Sequence, residues 1–306
     1  MEKLPKIVVI LGPTASGKTD LALALAKKYN GEIVSADSRQ IYRELSIGTA
    51  KPAGEWVKGV YLVEGVPCHL VDFVDPTAVY SLADFKRDAL KIIKDIIQHG
   101  KLPLLVGGTG LYVAAIVDNL DIPDVPPNET IRRSLESRPL PELQALIQEI
   151  DPVTAKKIDL NNPRRLVRAL EVALVSGESF AAWQKKSPPL FEVLLIGLSW
   201  PKLALEERIQ KRLKTQMEQG FVEEVEILWK KYGLAVGSSL SSIGYKPFVS
   251  YLSGEINLAE ALRIVFYQTR QYARRQMTWF KRDARINWIT GADQAAADDL
   301  ARDFLS

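Results

Sequence analysis

The sequence predicts an α/β protein: a mostly parallel sheet flanked by helices, with a helical insertion domain. Two observations carry this. Apolar runs bounded by turn residues recur at Ile7 to Leu11, Glu32 to Ala36, Leu102 to Val106, Val193 to Leu198 and Ile286 to Ile289, with amphipathic helical patterns between most of them. Strands alternating with helices imply parallel pairing with both sheet faces covered. Between about Asn119 and Pro189 the strand signals stop, and LDIPDVPPNE opens a stretch of helical patterns and proline breaks. That is the pattern of a separately packed helical piece. The expected division is 1–118 with 190–306 as core and 119–189 as insertion; 306 residues suffice for both.

The first strand runs directly into Gly12, Pro13, Thr14, Ala15, Ser16, Gly17, Lys18 and Thr19. This run fits GxxxxGK[ST], in which backbone amides wrap a diphosphate, the lysine adds positive charge and the final hydroxyl can ligate Mg²⁺. LALALAKKY then reads as a helix ended by Asn30-Gly31. In open α/β sheets ligands bind beyond the carboxyl ends of the strands, so the loop marks a P-loop site there.

The second strand delivers SADSRQIYR, with Asp37, Ser38 and Gln40 at the same end of the sheet. A carboxylate in that crevice can accept a proton, and a carboxamide can read the edge of a base. An aspartate capping the next helix is the plainer account, and the spacing leaves both open. The strand LPLLV ends in Gly107-Gly108-Thr109-Gly110. It lacks the aspartate with which P-loop enzymes of phosphate transfer usually hold Mg²⁺; Asp72 and Asp75 in HLVDFVDP are weak substitutes.

Within the insertion, Asn162 is placed to cap a helix, Pro163 to occupy its first position and Gly177 to end it. Leu166, Leu170 and Ala173 form its buried stripe, and Arg164, Arg165 and Arg168 share another face. Further on, LEERIQKRLKTQMEQGFVEEVEILWKKY sets Arg208 and Arg212 one helical turn apart, where pairing with nearby glutamates is the bland account. Residues 261–285 hold seven basic residues (Arg263, Arg270, Arg274, Arg275, Lys281, Arg282 and Arg285) against the single acid Asp283, with Phe266, Tyr267, Tyr272, Trp279 and Phe280 interleaved. This mixture suits phosphate neutralisation and base stacking, or an amphipathic helix with buried aromatics.

The bulk numbers exclude several classes. With 40 basic and 37 acidic residues, net charge argues neither for nor against nucleic acid. A single cysteine, Cys68, excludes a disulfide framework and a multi-cysteine metal site. Lys3, Pro5 and Lys6 lead straight into the first strand, no run approaches membrane-spanning length, and the expected compartment is the cytoplasm. His69 and His99 have no partner motif and read as structural.

Taken together, GPTASGKT (12 to 19), SADSRQIYR (35 to 43), IGTAKP (47 to 52), HLVDFVDP (69 to 76), YSLADFKRDA (80 to 89), LLVGGTGLY (104 to 112), NPRRLVRALEV (162 to 172), GFVEEV (220 to 225), SSIGYK (241 to 246) and TRQYARRQMTWFKRD (269 to 283) resemble the bacterial-type tRNA dimethylallyltransferases, the tRNA isopentenyltransferase family. The likeness runs nearly end to end and in order. It implies a P-loop NTPase-like core and transfer of a dimethylallyl group from dimethylallyl diphosphate to the N6 amine of the adenosine 3′-adjacent to the anticodon. Diphosphate is released, with Mg²⁺ as cofactor.

In that reading the loop from Gly12 to Thr19 holds an allylic diphosphate rather than ATP. Asp37 is the general base, Lys18 and Arg208 or Arg212 stabilise the leaving group, and Thr19 ligates Mg²⁺. Contacts to tRNA are carried over onto Asp37, Ser38, Arg39 and Gln40, onto Thr109, and onto Arg164, Arg165, Leu166, Val167 and Arg168. Two further segments complete them: Ser241, Ser242, Ile243, Gly244, Tyr245 and Lys246, and Arg274, Arg275, Gln276, Met277, Thr278, Trp279, Phe280 and Lys281. A monomer acting on the tRNA anticodon stem-loop, without membrane association, is expected.

Two departures stand out: the insertion is short, and Arg39 occupies a position often apolar in the family. The competing readings are a P-loop small-molecule kinase, a prenyltransferase acting on free AMP, and an RNA-binding module with a vestigial loop. A kinase would need the missing strand-end aspartate and would leave the basic aromatic segment unused.

Overall fold

The computed structural model describes residues 4–123, 125–183, 186–233 and 242–306. The chain opens with β1 (Lys6–Leu11), α1 (Lys18–Lys28), β2 (Gly31–Ser35), β3 (Glu55–Val57), β4 (Val60–Val63), β5 (Val66–His69), α2 (Leu82–Gln98), β6 (Leu102–Gly107) and α3 (Gly110–Val117). Then follow α4 (Glu129–Glu136), α5 (Leu140–Ile150), α6 (Pro152–Ala155), α7 (Pro163–Ser176) and a 3₁₀ turn, Phe180–Trp183. The chain closes with β7 (Glu192–Ser199), α8 (Lys202–Glu218), α9 (Phe221–Tyr232), α10 (Tyr245–Leu252), α11 (Leu258–Phe280), β8 (Asn287–Thr290) and α12 (Gln294–Leu305). It divides into two compact units, Met1–Val113 with Leu190–Ser306, and Ala114–Pro189.

The first unit is a P-loop NTPase-like α/β core built on one eight-stranded sheet, ordered β3-β4-β5-β2-β6-β1-β7-β8. Strands β5, β2, β6, β1, β7 and β8 run parallel, while β3 and β4 are antiparallel additions at one edge. The central strand β1 is apolar on both faces because helices cover both, and Ile7 to Leu11 are at most 1 % exposed. One face packs Leu21, Leu25 and Ala26 of α1 with Ala297 and Ala301 of α12. Helix α2 starts on a reciprocal cap: Ser81 Oγ accepts the Asp84 amide at 3.1 Å, and the Asp84 carboxylate accepts the Ser81 amide at 3.0 Å.

Strands β3 to β5 are an addition to the sequence reading. They are three or four residues long, β3 is exposed throughout, and β4 and β5 alternate buried with half-buried residues, so none has the continuous buried run of the central strands. Their turns carry the local explanation: Lys58-Gly59 and Glu64-Gly65 all have positive φ, the backbone that two-residue hairpins require. A second apolar cluster joins α9, α10 and α11 through Phe221, Tyr245, Phe248 and Val265, with Phe221 edge-on to Phe248 and Tyr245 at 5.0 and 5.3 Å.

The second unit is helical. Leu135, Leu143, Ile147, Leu166 and Leu170 form its core. Helix α7 begins and ends as its sequence dictates: the Asn162 side chain accepts the Arg165 amide, Pro163 follows, and Gly177 closes it with φ 72°. The basic face needs a correction. Arg164 and Arg165 are exposed, but Arg168 turns back onto the fully buried Glu171 at 2.6 Å and onto the Val125 carbonyl at 3.0 Å. Arg132 completes that cluster at 2.8 Å from the same carboxylate, so Arg168 satisfies a buried charge.

Candidate active site

The loop between β1 and α1 lies at the carboxyl end of β1, between neighbours β6 and β7. Gly17 caps α1 with φ 94°, a conformation that L side chains rarely adopt. The first amides of α1 face this preceding loop, where the helix dipole favours an anion.

Three cations converge on this loop. Lys18 Nζ donates to the Pro13 carbonyl at 2.7 Å, Arg208 Nε to the Ala15 carbonyl at 2.7 Å, and Arg212 Nη2 to Thr14 Oγ1 at 2.7 Å. Helix α8 thus presents Arg208 and Arg212 to one loop from successive turns, and neither pairs with the glutamates of its own helix. Arg208 stacks 4.4 Å over the Trp200 ring, and Trp200 Nε1 in turn donates to the Ser16 carbonyl at 3.0 Å. Trp200 carries no motif, and nothing in its local sequence pointed to the loop.

Burial lowers the Lys18 ammonium to about 8, with Asp37 opposing that fall and Arg212 adding to it. Burial likewise lowers Arg212 to about 10, again opposed by Asp37. Bringing buried like charges together is unfavourable without an anion between them. Asp37 is the carboxylate whose field acts on both. Its Oδ1 accepts the Arg39 amide at 2.8 Å and the Gln40 amide at 3.3 Å, so it caps a turn, rather than a helix, beyond β2 while facing the cations.

The rest of the wall comes from loops around Asp37. Ser38 N donates to Thr109 Oγ1 at 3.2 Å, joining the end of β2 to the end of β6. Gln40 gives its amide hydrogens to the Thr49 and Ala50 carbonyls at 3.3 and 3.0 Å. That loop is held by Glu224, which accepts the amides of Ser46, Ile47 and Gly48 and the Tyr245 hydroxyl at 2.7 to 3.0 Å. Burial raises the Tyr272 hydroxyl to about 12, keeping it protonated beside Asp37.

The segments read as RNA contacts divide by exposure. Arg274, Arg275, Thr278, Trp279 and Lys281 are exposed on or just past α11, and Trp279 lies against Gly110. Met277 is half-buried, while Gln276 and Phe280 point inward. Lys246 is exposed and Ile243 half-buried, whereas Ser242, Gly244 and Tyr245 are buried; Ser241 lies outside the described residues. Leu166 and Val167 pack the helical core at 0 and 6 % exposure.

The metal question rests on the donor set. Among the described residues no group of three or more His, Cys, Asp or Glu is arranged to hold a metal ion. Asp72 pairs with Lys51 and Trp56, and Asp75 is bonded to Thr77. The loop instead offers hydroxyls: Ser16 Oγ is buried without a hydrogen-bond partner, and Thr19 is half-buried at the start of α1. Such a set fits a hard cation that brings phosphate oxygens and water as most of its ligands.

The IPP transferase family model matches residues 40–283, and the isopentenyl transferase model matches residues 5–65. The chain is 39 % identical over 302 residues to the tRNA dimethylallyltransferase of Anoxybacillus flavithermus, covering 98 % of this chain and 95 % of that one. It is 41 % identical over 300 residues to the tRNA dimethylallyltransferase of a Cyanothece species, covering 98 % and 97 %. Among solved structures, the tRNA isopentenylpyrophosphate transferase of Staphylococcus epidermidis superposes with TM-score 0.70 at 33 % identity, covering 99 % of this chain and 100 % of that one. A eukaryotic dimethylallyltransferase captured acting on tRNA gives TM-score 0.80 at 27 % identity, covering 98 % and 77 %. With a family model over most of the chain and relatives matched over nearly their whole length, the chain belongs to the tRNA dimethylallyltransferases, enzymes that transfer a prenyl group to tRNA.

Proposed function

We propose that the protein transfers the dimethylallyl group of dimethylallyl diphosphate to the N6 amine of the adenosine 3′-adjacent to the tRNA anticodon. The convergence of Lys18, Arg208 and Arg212 on one loop, opposite Asp37, carries the reading. Breaking the allylic carbon–oxygen bond leaves negative charge on the departing diphosphate. Cations fixed beforehand around the loop stabilise that charge most as it develops.

The N6 lone pair forms the new carbon–nitrogen bond and the amine sheds a proton, for which Asp37 is the acceptor. Gln40, whose amide hydrogens are committed to Thr49 and Ala50, keeps its carbonyl to accept from the adenine amine. A base stacked in an anticodon loop cannot reach this crevice, so it is extruded into it. Exposed Arg274, Arg275 and Lys281 supply phosphate contacts, and Trp279 a stacking face; Arg164 and Arg165 offer the same charge on the helical unit. Thr19, with the unpartnered Ser16 hydroxyl near it in the loop, would hold Mg²⁺, which supplies further charge neutralisation on the diphosphate when bound.

Incubation with dimethylallyl diphosphate and Mg²⁺, offering either an unmodified anticodon stem-loop or AMP, tests this. Diphosphate release with the stem-loop alone is expected. Prenylation of AMP, or ATP turnover without RNA prenylation, would overturn it.

A further inference from the structure

Gln276 stands in the middle of a segment whose sequence reads as an RNA contact, yet its side chain turns inward and is 6 % exposed. Its Oε1 accepts the Thr14 amide at 2.8 Å, and its Nε2 donates to the Gly108 carbonyl at 2.9 Å. One carboxamide therefore joins the loop after β1 to the turn after β6. The next residue of that turn, Thr109, accepts the Ser38 amide at 3.2 Å, so the connection continues to the Asp37 side of the crevice. The approach is close: a Cβ at position 108 would lie 2.2 Å from Gln276 Nε2. Thr14 is thereby held at both ends, its amide by α11 and its hydroxyl by Arg212 of α8.

We propose that Gln276 is a positioning residue for the diphosphate donor and not an RNA contact. It fixes the Thr14 amide, and with it the curvature of the loop, in register with the turn that carries Thr109. Glutamine combines the reach of α11 with one acceptor and one donor on a single planar neutral group. Deleting the carboxamide strands the buried Gly108 carbonyl and the half-buried Thr14 amide. The inference rests on the reading of residues 12–19 as the donor site.

The test is steady-state prenylation of an anticodon stem-loop, with direct measurement of stem-loop affinity, in Gln276→Met and Gln276→Glu. Gln276→Met should raise the donor KM roughly ten- to a hundredfold and leave stem-loop Kd within about twofold. In Gln276→Glu the neutral carboxyl can reproduce both bonds, its hydroxyl donating to the Gly108 carbonyl and its carbonyl accepting from Thr14. Ionised, it sets a negative acceptor against that same Gly108 oxygen. Burial opposes the ionisation, while Lys18 and Arg212, which bind the same loop, favour it, with Asp37 across from them and Tyr272 one turn earlier on α11.

The ratio of donor kcat/KM in Gln276→Glu to that of the unaltered protein should therefore fall as pH rises, the ratio cancelling every ionisation that the two proteins share. Lost stem-loop affinity with an unchanged donor KM, or a flat ratio across pH, would overturn the assignment. Should Gln276→Met fail to fold, the pH ratio of Gln276→Glu still decides. An unaltered protein with no saturable dependence on dimethylallyl diphosphate would instead overturn the donor reading itself.

Discussion

Raising the pH through 8 should weaken donor binding through Lys18. In the ligand-free protein its ammonium is lowered from 10.5 to about 8 by burial, against the opposing pull of Asp37 and with help from Arg212. A diphosphate seated on the loop restores the charged form, so above pH 8 the donor must bind together with a proton. The fraction of ligand-free protein with charged Lys18 is about one half at pH 8 and about 3 % at pH 9.5, which predicts roughly a thirtyfold loss of affinity between pH 7 and 9.5, about 2 kcal/mol.

Titration calorimetry in buffers of different ionisation enthalpy reads the proton directly. Uptake near one half per donor is expected at pH 8, rising toward one by pH 9, in a range where the donor's own phosphate, ionising near about pH 6, contributes none. Lys18→Met should abolish the uptake. The same shift bears on folding: the unfolded chain binds more protons between about 8 and 10.5, so the penalty for burying charged Lys18 is present below 8 and relieved as pH rises through that window. Absence of proton uptake between pH 7 and 9, or uptake that persists in Lys18→Met, would refute the electrostatic account of the loop.

Asp37→Asn removes the charge that supports Lys18, so the midpoint of that proton uptake should move below 8; single-turnover prenylation should slow by roughly 10² to 10⁴ with stem-loop affinity little changed. Arg274→Gln and Arg275→Gln should each weaken stem-loop binding and reduce its logarithmic salt slope by about one, measured between low and moderate salt. Glu224→Ala strands the amides of Ser46, Ile47 and Gly48 and the Tyr245 hydroxyl. Stability should drop by roughly 2 to 4 kcal/mol, and amide exchange at Ile47 and Gly48 should quicken at least about tenfold.

What the sequence disclosed follows the range of its forces. The strand–loop–helix from Ile7 to Lys28 and the capped helix α7 are set by neighbours a few residues apart, and both form where the local pattern puts them. The strands β3 to β5 escaped because each is only three or four residues long, although Lys58-Gly59 and Glu64-Gly65 marked their turns. Arg208 and Arg212 were legible as residues but not as a pair aimed at one loop; that depends on how α8 docks. The Gln276–Thr14 bond spans 262 positions, and no local period encodes such a contact. Exposure corrected the remainder: Arg168 shares its helix with Arg164 and Arg165, but the buried charge of Glu171 draws it inward.

Nucleoside mass spectrometry of unmodified tRNA after reaction with the purified protein and dimethylallyl diphosphate tests the central claim most directly. The account predicts one dimethylallyl group on the N6 of the adenosine 3′ to the anticodon, formed by the unaltered protein and lost in Lys18→Met. Unmodified adenosine there, or prenylation that survives loss of Lys18, would contradict it.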